Sequence, residues 1–118
     1  MAEYLPLFQG QRVTIPVTGT VTGGQLVTWA GAVAGATSGA VAGVASFDAV
    51  AGDNLTVCFG GVQRITAAAN IAIGGPVKSA ANGQVTPWVP GTDTAESLIG
   101  TATAATTSGA LAPIRFKI

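Results

Sequence analysis

The chain of 118 residues contains no histidine, one cysteine and few charged residues. Without histidine, the commonest general base is missing, and Ser-His and Cys-His nucleophile pairs are excluded. Zinc sites built from Cys and His clusters are excluded as well. All five acidic residues lie in the N-terminal segment or in predicted turns, where Asp bonds to its own backbone: Glu3, Asp48, Asp53, Asp93 and Glu96. We therefore expect no catalytic residues, no metal site and no cofactor.

Charge of either sign is scarce, because charged residues make up 8% of the chain and the net charge is zero. Nucleic-acid-binding proteins concentrate Lys and Arg to neutralise phosphates. Here the five basic residues are scattered along the chain, at Arg12, Arg64, Lys78, Arg115 and Lys117. The segment 74–79 (GGPVKS) resembles a phosphate loop only in its last two residues, since no glycine precedes Lys78. The sequence predicts neither a nucleic-acid partner nor a nucleotide site.

Long apolar runs are also missing. The longest uncharged stretch of small residues, 30–46, includes Thr37 and Ser38 and falls short of the ~20 apolar residues that a membrane helix needs. The first residues carry Glu3 instead of the basic start of a signal peptide. Cys58 has no second cysteine to pair with, and its apolar surroundings predict a small buried side chain. We expect a soluble protein with no membrane partner.

What the chain does contain is small apolar and β-branched residues. Hydrophobic residues make up 48% and aromatic residues 6%, so the core must be built mainly from Ala, Val, Leu and Ile. Interleaved Val, Ile and Thr favour β-structure, and the length fits one domain. No segment shows a helical stripe, although 101–107 could form one helical turn. Extended segments are predicted at 11–17, 25–29, 41–47, 55–59, 63–67, 71–73, 77–79, 85–88, 98–103 and 112–118.

One hairpin is marked by turn chemistry. Asn82-Gly83 stands between two apolar runs, and a type I′ turn requires positive φ at both of its central residues. The last run alternates, with Ile114, Phe116 and Ile118 predicted to face inward and Arg115 and Lys117 outward.

The sequence also repeats itself. Residues 11–14 (QRVT) return at 63–66 (QRIT) with an offset of 52 (63 − 11), residues 21–26 return at 72–77 with an offset of 51, and residues 41–45 return at 98–102 with an offset of 57. Two copies are too few for a solenoid. We predict an all-β fold: a small single-domain β-barrel or β-tulip, 11–118, with a pseudo-twofold repeat. Its halves run from about 11 to 60 and from 63 to 118, and six extra residues fall mainly in the loop 87–96.

Apolar residues outside this pattern are candidates for protein contacts. Residues 1–10 predict an extended arm carrying Tyr4, Leu5, Leu7 and Phe8, which either forms a first strand or lies on a partner. Trp29 and Trp88 are large side chains in a chain of small ones. Each either fills the barrel or plugs its end, or it anchors an interface, a role in which Trp is enriched.

Several motifs in order resemble the capsid cement, or head decoration, proteins of tailed bacteriophages. They are the opening MAEYLPLF, the turn VTGGQLV, the runs VAGVASFDA and GDNLTV, and the later LIGTA. The similarity extends over essentially the whole chain and especially suggests phages of actinobacteria.

The resemblance implies a structural virion protein without catalytic residues. It implies binding to the outer surface of the mature capsid, with the major capsid protein as partner, as homotrimers that bridge neighbouring capsomers. Such a protein would be made in the host cytoplasm. The apolar arm would touch the shell or a neighbouring subunit. The alternative is a phage tail or spike module, or a β module that binds a host surface.

Overall fold

Nine β-strands form the regular structure of the residues that the computed structural model describes, 11–36 and 41–116. The first half contains β1 (Gln11–Pro16), β2 (Leu26–Thr28), β3 (Val41–Ala45) and β4 (Asn54–Phe59). The second half contains β5 (Val62–Thr66), β6 (Pro76–Ser79), β7 (Val85–Pro87), β8 (Leu98–Ala102) and β9 (Leu111–Phe116). Two single 3-10 turns, Ala81–Gly83 and Ala95–Ser97, are the helical segments of this part of the chain. The predicted all-β class is confirmed.

The strands form two antiparallel sheets. The first has the order β1-β4-β3-β2, and the second has the order β5-β9-β8-β6-β7. The predicted barrel is not closed: the edges of the second sheet meet only through an isolated parallel bridge between Ala67 and Val85. The segment 71–73, predicted as extended, contributes one bridge at Ile71 and no strand. The segment 101–107 forms no helical turn, because Thr101 and Ala102 complete β8.

The two sheets repeat the same hydrogen bonds. The Val17 N–H donates to the Asp53 carbonyl at 3.0 Å, and the Ala67 N–H donates to the Ala110 carbonyl at 2.9 Å. A second matched pair follows: the Gly24 N–H donates to the Ala45 carbonyl and the Gly74 N–H donates to the Ala102 carbonyl, both at 2.8 Å. Residues before the end of β2 therefore recur after 50 positions (67 − 17), and residues from β3 onward recur after 57 (110 − 53).

This register confirms the predicted offset of 57 and corrects the other two. Ile15 corresponds to Ile65, and both are buried. The predicted offset of 52 aligned the similar letters QRVT and QRIT, two residues out of register. The predicted offset of 51 is one residue out of register. This error has a larger consequence than an error of two residues, because a shift by one residue exchanges the inward and outward faces of a strand.

The seven additional residues of the second half (57 − 50) enter at two places. Val27 bridges Val33 in the first half, as Val77 pairs with Pro87 in the second. The offset at this point is 54 (87 − 33). Four of the additional residues therefore lie in the turn before β7, and the other three lie in the loop after it. The predicted Asn82-Gly83 turn lies in the longer connection, and both residues have positive φ, 61° and 69°.

Each half has its own apolar interior. One cluster belongs to the first half alone and is built around Ile15, Val27, Leu55 and Val57. The other is built around their counterparts Ile65, Val77, Ala112 and Ile114, and it also takes in four first-half residues: Leu26, Ala34, Val44 and, at its margin, Val41. The second cluster therefore extends across the boundary and joins the halves, and we call it the joint core.

Matched glycines allow the central strands to approach closely. A side chain at Gly43 would overlap the Cys58 carbonyl oxygen, and one at Gly100 would overlap the Arg115 carbonyl oxygen. Neither glycine needs positive φ, so the requirement is for space alone. Cys58 itself is half-buried, which corrects the prediction of a buried side chain. Its thiol lies on the outer face of β4, 3.2 Å from the Ser46 hydroxyl.

Candidate interaction surfaces

The contact between the two halves is the best-defined interface in the described structure. The hairpin between β6 and β7, which we call the docking hairpin, reaches the first half, where the Gly83 N–H donates to the Ala34 carbonyl at 2.9 Å. The Gln25 side-chain amide donates to the Asn82 carbonyl at 3.0 Å. The Ser79 hydroxyl, 3% exposed, donates to the Gly35 carbonyl at 2.8 Å. Gly83 passes so near to the backbone of Leu26 that a side chain there would overlap it.

On the first half, this contact covers the part of the sheet's outer face that is formed by β2 and β3. A cross-strand row of paired positions runs through Arg12, Cys58, Val44 and Leu26. Paired residues in such a row point to the same side of the sheet. The two residues nearest the second half are buried, with Leu26 0% and Val44 7% exposed. We call Leu26, Ala34 and Val44 the covered face.

The second half carries the same row with nothing over it in the described chain. The matching positions are Val62, Arg115, Thr101 and Pro76. Thr101 and Arg115 are exposed, and Pro76 is half-buried. Trp88 stands where the first half has Ala34: the Trp88 N–H donates to the Pro76 carbonyl as the Ala34 N–H donates to the Leu26 carbonyl, both at 2.8 Å. We call Pro76, Trp88 and Thr101 the open face.

Trp88 is fixed beside a loop that the first half does not share at this length. Its indole N–H donates to the Thr94 carbonyl at 2.9 Å and contacts the Ser97 hydroxyl at 3.2 Å. Asp93 closes the loop by accepting from the Lys78 ammonium at 2.6 Å and from the Val89 N–H at 2.7 Å. The Lys78 ammonium, and then the Val89 N–H, lower the pKa of the Asp93 carboxyl. The half-buried Trp88 is thus a positioned side chain, while neighbouring Val89 is 48% exposed.

Trp29 lies in the turn that corresponds to the docking hairpin. It occupies the position equivalent to Ser79, four residues having been added after Ser79 in the second half. Trp29 is 51% exposed, which excludes the alternative in which it fills the barrel. Phe59, at the end of β4, is half-buried, whereas its counterpart Phe116 is 7% exposed within the joint core. We call Trp29 and Phe59 the open tip.

Further exposed apolar side chains were not predicted from the sequence. Phe47 is 47% exposed, and its backbone lies against Gly23. Val50 (56%) and Leu111 (58%) border two shallow depressions, each of which includes at least one residue of the turn 22–25. Ile73 is 69% exposed in the matching turn of the second half. A comparison of the halves gives a signal that reading each strand alone does not: the counterparts of Phe47, Val50 and Leu111 are Ala104, Thr107 and Asn54.

The predicted arm residues Tyr4, Leu5, Leu7 and Phe8 lie outside the described residues. The arm precedes β1 at Gln11, which pairs with Phe59. Trp29 and Trp88 lie in different environments, the first on the open tip and the second on the open face. The sequence alone indicated that the two were unusual but did not indicate their surroundings.

The acidic side chains of the first half hold turns. Asp48 accepts from the Gly23 N–H at 2.8 Å, and Asp53 accepts from the Val50 N–H at 3.1 Å. Among residues 11–36 and 41–116, no three His, Cys, Asp or Glu side chains are grouped closely enough to hold a metal ion. Over the same ranges, no helix is long and apolar enough to cross a membrane.

Comparison with known proteins adds two findings. No curated protein matches the chain in sequence. The structure is similar to that of the head fiber gp8.5 N base of bacteriophage phi29, with a TM-score of 0.64 and 16% identity, covering 92% of this chain and 95% of that one. At that identity the likeness concerns the fold. The sequence model of the phage cement protein family matches residues 8–118, which is nearly the whole chain and confirms the resemblance: this protein belongs to the phage cement protein family.

Proposed function

We propose that the protein is a capsid decoration protein that binds the outer surface of the mature phage head and stabilises it by bridging neighbouring capsomers. The family match over residues 8–118 carries this proposal. Its partners are the major capsid protein and further copies of itself, in a homotrimer. Binding only to the assembled shell stabilises that shell by mass action, and several contacts from one oligomer raise the avidity.

The described surface suits passive binding. It offers exposed apolar side chains, such as Phe47 and Ile73, among few charges, and the acids of the first half are engaged in turns. We assign the arm residues Tyr4, Leu5, Leu7 and Phe8 to a contact with the shell or with a neighbouring subunit. No step of this function requires a catalytic group.

Binding to heads tests the proposal. Expanded heads that lack the protein should bind the purified full chain in co-sedimentation, in hundreds of copies per particle, and should then resist heating to a higher temperature. Heads already carrying the protein are the control and should take up little more. Absence of binding to expanded heads of its own phage would contradict the proposal.

A tail, spike or fibre module, or a β module that binds a host surface, is the second candidate, and the structural likeness to a head fiber base favours it. The two candidates differ in copy number, because a module of this kind is present in a small number of copies per particle. Quantitative mass spectrometry of purified virions separates hundreds of copies from a handful.

A further inference from the structure

We infer that copies of this chain associate head to tail, with the open tip of one copy packed on the open face of the next, in the manner in which the second half packs on the first within one chain. The inference rests on the proposed function for the existence of self-association, and it adds the surfaces through which the copies meet.

The first step of the argument is that the chain shows what covers such a face. The covered face of the first half is sealed by the second half, with Leu26 and Ala34 each 0% exposed. The same positions on the second half, Pro76 and Trp88, are half-buried, and Thr101 is exposed where Val44 is buried. A third repeat would cover them, but the described chain has two. The first half of another copy carries the appropriate frame.

The second step is that the complementary surface is open as well. In the second half, the surface that packs on the covered face includes the docking hairpin and Phe116, which belongs to the same core cluster as Leu26. Its counterpart on the first half is the open tip, where Phe59 is half-buried and Trp29 is 51% exposed. Within residues 11–36 and 41–116, the open tip of the first half and the open face of the second half therefore both remain partly exposed.

The third step concerns fit. The turn at Trp29 is shorter than the docking hairpin, because four of the five residues between Ser79 and β7 have no counterpart in the first half. The large indole of Trp29 compensates for the shorter backbone by extending towards the open face of the next copy. Its apolar surface would face Pro76 and Trp88. Aromatic side chains are the groups on which interface affinity commonly depends.

The symmetry of the contact follows. Different surfaces meet, so the interface is heterologous and builds a ring if the rotation between copies closes. The homotrimer of the proposed function is such a ring, in which first and second halves alternate. This arrangement predicts that damage to either surface disrupts the oligomer, and that two differently damaged chains complement each other once.

The experiment uses the full chain without heads, in sedimentation velocity and native mass spectrometry. Trp29→Ala removes the tip, and Thr101→Arg places a second cation beside Arg115 on the open face. Both sites are exposed, so both variants should keep the circular-dichroism spectrum of the wild type. Val50→Ala is the matched control, because Val50 is about as exposed as Trp29 and lies on neither the open tip nor the open face.

We expect the wild type and Val50→Ala to form the same closed oligomer. Trp29→Ala and Thr101→Arg should each weaken self-association by at least about tenfold and run as monomers at micromolar concentration. Mixed in equal amounts, they should form a one-to-one heterodimer and nothing larger, because the mixture retains one intact tip and one intact face.

A monomeric wild type, an oligomer that survives both substitutions, or a mixture without heterodimer would each overturn the inference. A wild type that binds expanded heads but stays monomeric in solution would overturn the inference alone and leave decoration in place. A stable oligomer that fails to bind heads would do the reverse.

Discussion

The first half of the chain buries the β2 and β3 part of the outer face of its sheet, whereas the second half leaves the matching part open. The difference is carried by substitutions within one hydrogen-bonded frame: Leu26 and Val44 become Pro76 and Thr101. The interior positions remain apolar throughout, as Ile15 to Ile65, Val27 to Val77 and Leu55 to Ala112. The duplicated fold thus keeps apolar residues in the interior of each half and varies the residues on the outer face of each sheet.

The largest expected effect tests whether the joint core holds the halves together. Leu26→Ala should lower the free energy of unfolding by about 2–5 kcal/mol, since it opens a cavity at a fully buried position shared by both halves. Urea denaturation followed by circular dichroism measures this. Leu111→Ala is the same change at a position 58% exposed and should stay within about 0.5 kcal/mol of the wild type. Equal losses in the two variants would show that burial at the boundary is not what stabilises the domain.

The matched glycines test whether the halves unfold as one unit. Gly43→Ala and Gly100→Ala each force a methyl group against a carbonyl of the adjacent strand, and each should cost about 1–3 kcal/mol or more. Each half has its own fluorescent reporter, Trp29 or Trp88. If the joint core couples the halves, both reporters should give the same midpoint in either variant.

A control for backbone effects is available at Gly19, where an added side chain meets nothing within 4 Å. Gly19→Ala should leave the midpoint close to that of the wild type. Separate midpoints for the two reporters in Gly43→Ala would mean that each half is stable by its own interior.

The strands could be predicted from the sequence because inward and outward residues alternate. Ile114 and Phe116 are buried on either side of exposed Arg115, as the period of two requires. The positive φ of Asn82 and Gly83 was likewise predictable from local turn chemistry. The prediction that the additional residues lie mainly in the loop 87–96 is wrong in part, because four of them lengthen the docking hairpin.

The surfaces could not be predicted, because they depend on which half covers the other. Nothing in the letters around Trp29 distinguishes a barrel plug from an exposed turn. The true register became apparent only from paired hydrogen bonds, since QRVT and QRIT resemble each other more than the segments that are equivalent in space. In a chain of small residues, chance similarity competes with real equivalence.

Exchange of counterparts sharpens the comparison at one position. Val44→Thr places a hydroxyl on the covered face and should cost about 1–3 kcal/mol if the group finds no partner there. Thr101→Val makes the reverse exchange on the open face and should change the stability of the isolated monomer by less than about 0.5 kcal/mol. Both are read from urea midpoints at low protein concentration. A large loss in Thr101→Val alone would contradict the assignment of covered and open faces.

The smallest effect concerns the loop that holds Trp88, which the first half lacks at this length. Lys78 and the Val89 N–H lower the pKa of Asp93 below its ordinary value of 3.8, so the folded loop favours the ionised carboxylate. Its stabilisation is therefore present above pH 4 and is lost as the pH falls through the folded pKa. In Asp93→Asn, Trp88 emission at pH 7 should shift to the red, because the indole N–H loses its fixed partners at Thr94 and Ser97. Both spectra are recorded in a Trp29→Phe background, so that the emission comes from Trp88. With Asp93 present, the emission should reach the red-shifted position only below pH 4. An Asp93→Asn spectrum that is unchanged at pH 7 would show that the ion pair is not what positions Trp88.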